Sequence, residues 1–219
     1  MEKEKTIAIQ GFAGCFHEAA AHKFFGKKIK FSNCASFNTL ATQTAEGILI
    51  DAGVMAIENS IAGSILPNYE LIQKNNLTII GEIYLPVKQH LLAKKGVPLS
   101  EIKEVHSHPM ALQQCSSFLN KNNFKLVESE DTALSAQMVA QRNYNHVAAV
   151  ASAQAANLYG LDIIEKNIHN DKFNYTRFLI LGIQTFMVYK IFCISNPYGY
   201  ICIHNEFNNY IQLLPKLLF

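Results

Sequence analysis

Several features that would mark a specialised class of protein are missing from this sequence. No apolar run approaches the roughly 20 residues that a membrane-spanning helix needs. The five cysteines are scattered, without a Cys-x-x-Cys pair or the Cys/His spacing of a zinc site. Charge is nearly balanced, with 19 Lys and Arg against 17 Asp and Glu. These absences argue against a membrane protein, a structural zinc protein and a nucleic-acid-binding protein.

The amino-terminal stretch also lacks the features of an export signal. MEKEKTIAIQGF carries charges of both signs and contains no apolar segment of the kind that a secretory signal needs. We therefore expect a cytoplasmic protein whose thiols are reduced. With 219 residues, of which 49% are hydrophobic and 16% charged, the chain can form one large or two small globular domains.

Short apolar runs alternate with helical patterns over residues 1–182. The run from Thr6 to Gln10 predicts a strand, and FHEAAAHKFFG predicts a helix that ends at Gly26. Ser36 has the position of an N-cap for the next helix. Strands that alternate regularly with helices predict an α/β fold with one mostly parallel sheet, or two such sheets.

Residues 183–219 differ in composition from the rest of the chain. They contain no Arg, no Asp and a single Glu, and they are rich in Ile, Phe, Tyr and Asn without an amphipathic period. This segment could add a pair of strands or form a poorly packed tail.

Polar residues gather where the predicted strands end and the helices begin. Open α/β sheets bind ligands at these carboxyl ends, close to helix N-termini whose N–H groups attract anions. Arg177 is the one fixed cation in the set, so an anionic ligand with carboxylates is favoured. The residues at these positions are Gly11, Gly14, Glu58, Asn59, Ser60, Gly63, Ser64, Ser107, His108, Pro109, Gln113, Gln114, Glu130, Asp131, Thr132, Thr176 and Arg177.

Each of these residues taken alone has an ordinary structural interpretation. Ser107, Asp131 and Thr132 could be helix caps, and Asn59 and Ser60 could be turn residues. The two glycines after the first strand form only Gly-x-x-Gly, short of the nucleotide-binding pattern. The shared position of the residues, rather than any single one of them, favours a binding site.

Four segments resemble signature segments of the prephenate dehydratase family. YGLDIIEKNIHNDKFNYTRFLIL contains the Thr-Arg-Phe core, and GVMAIENSIAGSILPNYELI resembles the Glu-Asn-Ser segment. VHSHPMALQQC is similar to the Ser-His-Pro and Gln-Gln-Cys segment, and SEDTALSAQMVA to the acidic-Thr helix start. The segments occur in the order of the family, and the resemblance covers nearly all of residues 6–182.

The resemblance implies a two-lobed α/β fold like that of type II periplasmic binding proteins, with mostly parallel sheets and the active site between the lobes. Residues 1–182 would form the catalytic domain, with a second lobe at roughly 85–175. The implied activity is that of a carbon–oxygen lyase that converts prephenate to phenylpyruvate in phenylalanine biosynthesis, without cofactor or metal. The family's catalytic residues would fall on Asn59, Ser107, Gln114 and Thr176, and substrate-binding residues on Ser60, Thr132, Arg177 and Phe178.

The implied reaction needs positioning and charge stabilisation rather than redox chemistry. Loss of a carboxylate pushes electrons into the ring while a hydroxyl group leaves. Thr176 would hydrogen-bond the departing oxygen, because a Thr hydroxyl is too weak an acid for early proton transfer. Arg177 would anchor a carboxylate. Asn59, Ser107 and Gln114 would orient the ring.

Three features depart from the pattern of the family. The first loop ends in Phe16 and His17 where Tyr and Ser are usual, although His17 could still cap a helix or contact a carboxylate. Met110 replaces a residue that is often Gln. Residues 183–219 do not resemble the ACT regulatory domain of many members, so this domain reads as truncated or replaced. Phenylalanine feedback would then be doubtful, and any homodimer would be weakened.

Two other functions stay open. A non-catalytic module that binds a small anion would use the same fold, and so would an inactive relative of the enzyme. The Thr-Arg-Phe core and the lack of an export signal favour the enzyme over the binding module.

Overall fold

The computed structural model describes residues 4–142 and 145–183, together with the backbone of residues 194–196 and 199–201. Residues 4–142 and 145–183 form two large β-sheets with flanking helices. Both sheets belong to one compact unit that extends to Met187, and the residues from Val188 onward form a separate unit.

The first sheet contains six strands in the order β2-β1-β3-β11-β5, with β4 paired to β3. Three helices, α1 to α3, connect its strands. The strands and helices are β1 (Lys5–Gln10), α1 (Phe16–Phe25), β2 (Ile29–Cys34), α2 (Phe37–Glu46), β3 (Ala52–Asn59), β4 (Gly63–Ser64), α3 (Leu66–Lys74), β5 (Thr78–Pro86) and β11 (Tyr175–Gly182).

The second sheet contains five strands in the order β10-β6-β9-β7-β8. A 3₁₀ turn at Leu99–Glu101 and four short helices lie between its strands. The strands and helices are β6 (His90–Ala93), β7 (Glu104–Ser107), α4 (Pro109–Gln114), α5 (Ser116–Lys121), β8 (Lys125–Glu128), α6 (Thr132–Gln141), β9 (Val147–Ala151), α7 (Ala153–Tyr159) and β10 (Asp162–Glu165).

The carboxy-terminal unit contributes one described feature. β12 (Ile194–Asn196) and β13 (Gly199–Ile201) form an antiparallel pair. The prediction that residues 183–219 do not form a complete ACT domain otherwise falls outside the residues that the structure describes.

The predicted α/β class is confirmed, and each sheet combines parallel with antiparallel pairs. β1 pairs in parallel with β2 and β3, and β7 with β8 and β9, as expected for strand–helix–strand units. β11 is antiparallel to both β3 and β5, because it returns to the first sheet after the chain has formed the second. β6 lies antiparallel between β9 and β10.

Local sequence signals set the predicted helix ends in the first lobe. Ser36 Oγ accepts a hydrogen bond from the Thr39 N–H at 3.1 Å, as predicted for an N-cap. Gly26 follows the last residue of α1 with φ of 84°, a backbone angle that glycine tolerates. Pro67 occupies the first turn of α3.

The ladder between β3 and β11, at the centre of the first sheet, contains a β-bulge. Phe178 lies opposite Ala56, but Arg177 lies opposite Glu58, so Ile57 is an additional residue on β3. A bulge bends its strand and increases the local twist, and it re-aims the side chains that follow. Beyond the bulge, Glu58 and Asn59 on β3 lie opposite Arg177 and Thr176 on β11, and all four are candidate site residues.

The close approach of α1 to β5 at Gly81 gives a test of the packing. A Cβ atom on Gly81 would lie 2.5 Å from the Phe24 ring, whereas one on Gly182 would lie 3.4 Å from Ile80. We expect Gly81→Ala to lower the free energy of unfolding by about 1–3 kcal/mol through overpacking. Gly182→Ala should be less destabilising, because its Cβ would lie at an ordinary van der Waals distance from Ile80. Urea unfolding measures both values, and equal effects would contradict the packing described.

Candidate active site

The side chains of Asn59 and Thr176 meet at the ends of β3 and β11. The two residues lie opposite each other in the ladder, and Asn59 Nδ2 donates to Thr176 Oγ1 at 2.9 Å. Asn59 Oδ1 accepts from the N–H groups of Ile61 and Ala62 at 3.0 and 2.9 Å. Because these backbone groups can only donate, they fix which end of the Asn59 amide faces Thr176.

The Thr176 hydroxyl is the acceptor in this hydrogen bond, so its own hydrogen is available for another partner. An amide nitrogen has no lone pair with which to accept it. Thr176 is 8% exposed, and no acceptor for its hydroxyl hydrogen occurs among the described residues. The hydroxyl can therefore donate to an oxygen atom of a ligand that reaches it.

Asn174 connects this pair to the second lobe. Its Oδ1 accepts from Asn59 Nδ2 at 2.8 Å, and its Nδ2 donates to Gln114 Oε1 at 2.9 Å. Gln114 is the last residue of α4, and Asn174 is 1% exposed. We call Thr176, Asn59, Asn174 and Gln114 the amide–hydroxyl chain. Asn174 was not predicted as a site residue, although it directly precedes the strand with the Thr-Arg-Phe core.

A second set of contacts joins the loop after β1 to helix α7. Ser152 Oγ donates to the Gly14 carbonyl at 2.9 Å, and Tyr159 Oη donates to the Ala13 carbonyl at 2.8 Å. The carboxyl ends of β1 and β3 thus both have hydrogen-bonded neighbours from the second lobe. This arrangement is the one expected for a site between two α/β lobes.

Ser60 holds the segment that leads into β11. Its N–H donates to the Tyr175 carbonyl at 2.9 Å, and its Oγ accepts from the Tyr175 N–H at 2.9 Å. The same hydroxyl donates to the Phe173 carbonyl at 2.8 Å. The substrate contact predicted for Ser60 stays a prediction, and its observed partners favour a positioning role.

Arg177 is engaged by acidic side chains of its own sheet. Its Nε and Nη2 both lie 2.8 Å from Glu82 Oε2. Its Nη1 lies 3.9 Å from Glu58 Oε2. Successive strand residues face opposite sides of a sheet, so Arg177 faces away from Thr176. This arrangement does not support the prediction that Arg177 anchors a carboxylate beside Thr176.

Two further predicted site residues are buried in the core. Phe178 is 1% exposed, which favours a role in the core, and its predicted contact with substrate stays a prediction. Ser107 is 0% exposed, and its hydroxyl donates to the Val150 carbonyl at 2.6 Å within the second sheet. That hydroxyl hydrogen is already used, so the structure does not support the catalytic role predicted for Ser107.

Side chains cap the helix N-termini that were predicted to attract an anion. Asp131 Oδ1 accepts from two N–H groups in the first turn of α6, at 2.7 and 2.9 Å. Ser152 Oγ accepts from the Ala155 N–H at 3.0 Å in α7. Burial raises the pKa of Asp131 despite these bonds. Thr132 is the first residue of α6, and its predicted substrate contact stays a prediction.

His17 lies in the core rather than at a ligand. It is 9% exposed, and its Nε2 accepts from the Ala56 N–H at 3.3 Å. Burial lowers the pKa of His17 to about 4, so the ring is neutral near pH 7. The expectation that His17 could contact a carboxylate stays a prediction, and its observed partners favour a structural role.

Comparison with known proteins places these residues in a family. The family model described as prephenate dehydratase matches residues 7–185. The chain belongs to the prephenate dehydratase family. The matched residues include the whole amide–hydroxyl chain and both large sheets except the first two residues of β1.

Named relatives and a solved structure agree with this assignment. The chain is 44% identical over 181 residues to arogenate dehydratase/prephenate dehydratase 1 of Arabidopsis thaliana, covering 83% of this chain and 46% of that protein. It is 35% identical over 180 residues to the bifunctional chorismate mutase/prephenate dehydratase of Enterobacter agglomerans, covering 80% and 46%. The crystal structure of prephenate dehydratase from Arthrobacter aurescens with L-Phe matches with a TM-score of 0.76 and 27% identity. That match covers 84% of this chain and 62% of the other. The chain spans about half the length of these curated relatives.

Within the part of the chain that the structure describes, no helix is long and apolar enough to span a membrane. Within the same residues, no three His, Cys, Asp or Glu side chains cluster as metal ligands would. The prediction that no cofactor or metal takes part stays a prediction.

The buried His17 predicts a loss of stability in mild acid. The unfolded chain binds a proton at His17 near pH 6.5 but the folded chain only near pH 4, so acidification favours unfolding between these values. Urea unfolding at about pH 6.5 and about pH 5 should show wild type losing about 1.5 kcal/mol more than His17→Gln. Equal losses would contradict a neutral, buried His17, since both proteins share all other titrating groups.

Proposed function

We propose that this chain catalyses the decarboxylation and dehydration of prephenate to phenylpyruvate, a carbon–oxygen lyase reaction. The observation that carries the proposal is the hydrogen bond from Asn59 to Thr176, which leaves a hydroxyl hydrogen for the leaving oxygen of the substrate. Membership of the prephenate dehydratase family supports the same reaction.

The reaction breaks two bonds and forms an aromatic ring without a redox step. The ring carboxylate leaves as carbon dioxide, and the electron pair of that bond enters the ring. The carbon–oxygen bond at the opposite ring carbon breaks, and its electron pair leaves with the hydroxyl oxygen. That oxygen takes up a proton and departs as water. Negative charge therefore develops on one oxygen atom, which is where stabilisation lowers the barrier.

Thr176 donates a hydrogen bond from its hydroxyl group to this oxygen. Asn59 donates to the hydroxyl oxygen of Thr176, which polarises the O–H bond and makes it a stronger donor. The proton that completes the water molecule comes from solvent, because a Thr hydroxyl is too weak an acid to release it.

Gln114 orients the substrate ring between the lobes, and Asn174 positions Gln114. The bond between Asn174 and Gln114 keeps the end of α4 close to the start of β11. Arg177 would have to leave Glu82 to reach a carboxylate of the substrate.

Arogenate is a second candidate substrate. The names of the Arabidopsis relatives include arogenate dehydratase as well as prephenate dehydratase. Arogenate has an amino group where prephenate has a keto group, and the same ring reaction gives phenylalanine. Initial rates with both compounds decide between them.

Three predictions about the whole protein accompany this function. We propose a cytoplasmic location and a homodimer that is weakened if the ACT domain is missing. We also propose residues 1–182 as the catalytic domain and residues 183–219 as an atypical tail. Size-exclusion chromatography tests the dimer, and expression of residues 1–182 alone tests the boundary.

Substitution of Thr176 tests the catalytic assignment. Thr176→Ala should lower kcat for prephenate by about 100-fold, since it removes a donor at the developing charge. Thr176→Ser, which keeps the hydroxyl, should recover most of the loss. Phenylpyruvate absorbance in alkali measures the rate.

Thr42→Ala on the exposed part of α2 is the matched control and should retain the wild-type rate. Wild-type turnover by a folded Thr176→Ala protein would refute the role of the hydroxyl. Wild-type protein that binds prephenate without forming phenylpyruvate would instead support the binding module or the inactive relative.

A further inference from the structure

The bulge in β3 is what brings Asn59 opposite Thr176. If the ladder continued past Ala56 without the additional residue Ile57, Thr176 would lie opposite Glu58, and Asn59 would lie opposite Tyr175. A carboxylate cannot donate to the Thr176 hydroxyl and would accept its hydrogen instead. The register shift therefore decides whether Thr176 has a donor or an acceptor as its neighbour.

The backbone of Ala56, at the bulge, is bonded by side chains from two helices. β1 pairs with β3 only as far as Val54 in the described ladder. Beyond that point, His17 Nε2 from α1 accepts the Ala56 N–H at 3.3 Å, and Asn68 Nδ2 from α3 donates to the Ala56 carbonyl at 2.7 Å. Asn68 is 2% exposed, so water does not replace these partners readily.

His17 also contacts the opposite strand at the same level. Its ring meets the Phe178 ring edge-on, with centroids 5.0 Å apart and planes at 82°. Phe178 is the ladder partner of Ala56, and Thr176 is two residues away on the same strand. The His17 side chain thus contacts both β3 and β11 at the position of the bulge.

We propose that His17 is a positioning residue for the dehydration reaction, because its Nε2 holds the bulge in β3 and thereby keeps the Asn59 amide against the Thr176 hydroxyl. This inference rests on the proposed function. The Nε2 of His17 is bonded to the Ala56 N–H and its ring packs against Phe37 and Phe178, so it acts through Ala56 and Asn59. The requirement is for an uncharged acceptor at the position of Nε2.

Two substitutions separate the acceptor from the ring. His17→Gln keeps an acceptor that can reach the Ala56 N–H but loses the aromatic ring. His17→Phe keeps a ring against Phe178 but has no acceptor. If His17→Phe does not fold, His17→Leu replaces it, because Leu is closer to His in volume; His17→Leu and His17→Gln both lack the ring, and only His17→Gln has an acceptor. His22→Phe, on a more exposed part of the same helix, is the matched control.

Steady-state kinetics give the first readout, on proteins shown to be folded by cooperative thermal unfolding above the assay temperature. We expect His17→Phe to lower kcat by tenfold or more while KM changes by less than threefold. His17→Gln and His22→Phe should keep kcat within threefold of wild type. Wild-type kcat in His17→Phe would overturn the proposal. An equal loss of kcat in His17→Gln would overturn it as well, because an acceptor at this position would then not be enough to sustain the rate.

Amide hydrogen exchange gives a second readout that does not need activity. Exchange at Ala56 should accelerate tenfold or more in His17→Phe and change little in His17→Gln. Exchange at Ile61 and Ala62, whose N–H groups are bonded to Asn59 Oδ1, should accelerate in the same variant. Unchanged exchange at Ile61 and Ala62 would overturn the link from the bulge to Asn59. If wild type turns over neither prephenate nor arogenate, the proposed function fails, and the exchange data alone decide the role of His17.

Discussion

One unpaired residue in the β3–β11 ladder determines the chemistry that the candidate site can offer. Because Ile57 adds a residue to β3, the amide of Asn59 rather than the carboxylate of Glu58 lies opposite Thr176. The amide donates to the Thr176 hydroxyl, so the hydroxyl hydrogen remains available. With a carboxylate in that place, the Thr176 hydroxyl would donate its hydrogen bond to the carboxylate. A leaving oxygen would then face the lone pairs of the hydroxyl oxygen and would receive no hydrogen bond from it.

The same strand ends connect the two lobes through uncharged groups. Asn174 accepts from Asn59 and donates to Gln114, while Arg177 on the other face of β11 is neutralised by Glu82. The charge that develops during dehydration would therefore be met by hydrogen-bond donors fixed in advance rather than by a mobile cation. This arrangement is consistent with the assignment to the prephenate dehydratase family. The chain spans about half the length of its curated relatives.

Local patterns predicted the elements of the fold, and the order of motifs predicted the family. Ser36 and Gly26 have their predicted roles because capping depends on a few neighbouring residues. The contacts of Arg177 could not be predicted in the same way, because Glu82 is 95 residues away and approaches it only through the register of β11 with β5. The bond from His17 to Ala56 also depends on tertiary packing, which no local signal encodes.

The most direct test of this account is a double-mutant cycle that measures the coupling energy between Asn59 and Thr176 during turnover. It requires kcat/KM for prephenate in Asn59→Ala, Thr176→Ala, the double variant and wild type. If Asn59 acts by polarising the Thr176 hydroxyl, removing Asn59 has little further effect once the hydroxyl is gone, and the coupling energy is about 1–2 kcal/mol. If Asn59→Ala lowers kcat/KM by the same factor with and without the hydroxyl, the two residues act independently, and the register shift is not the basis of the reaction.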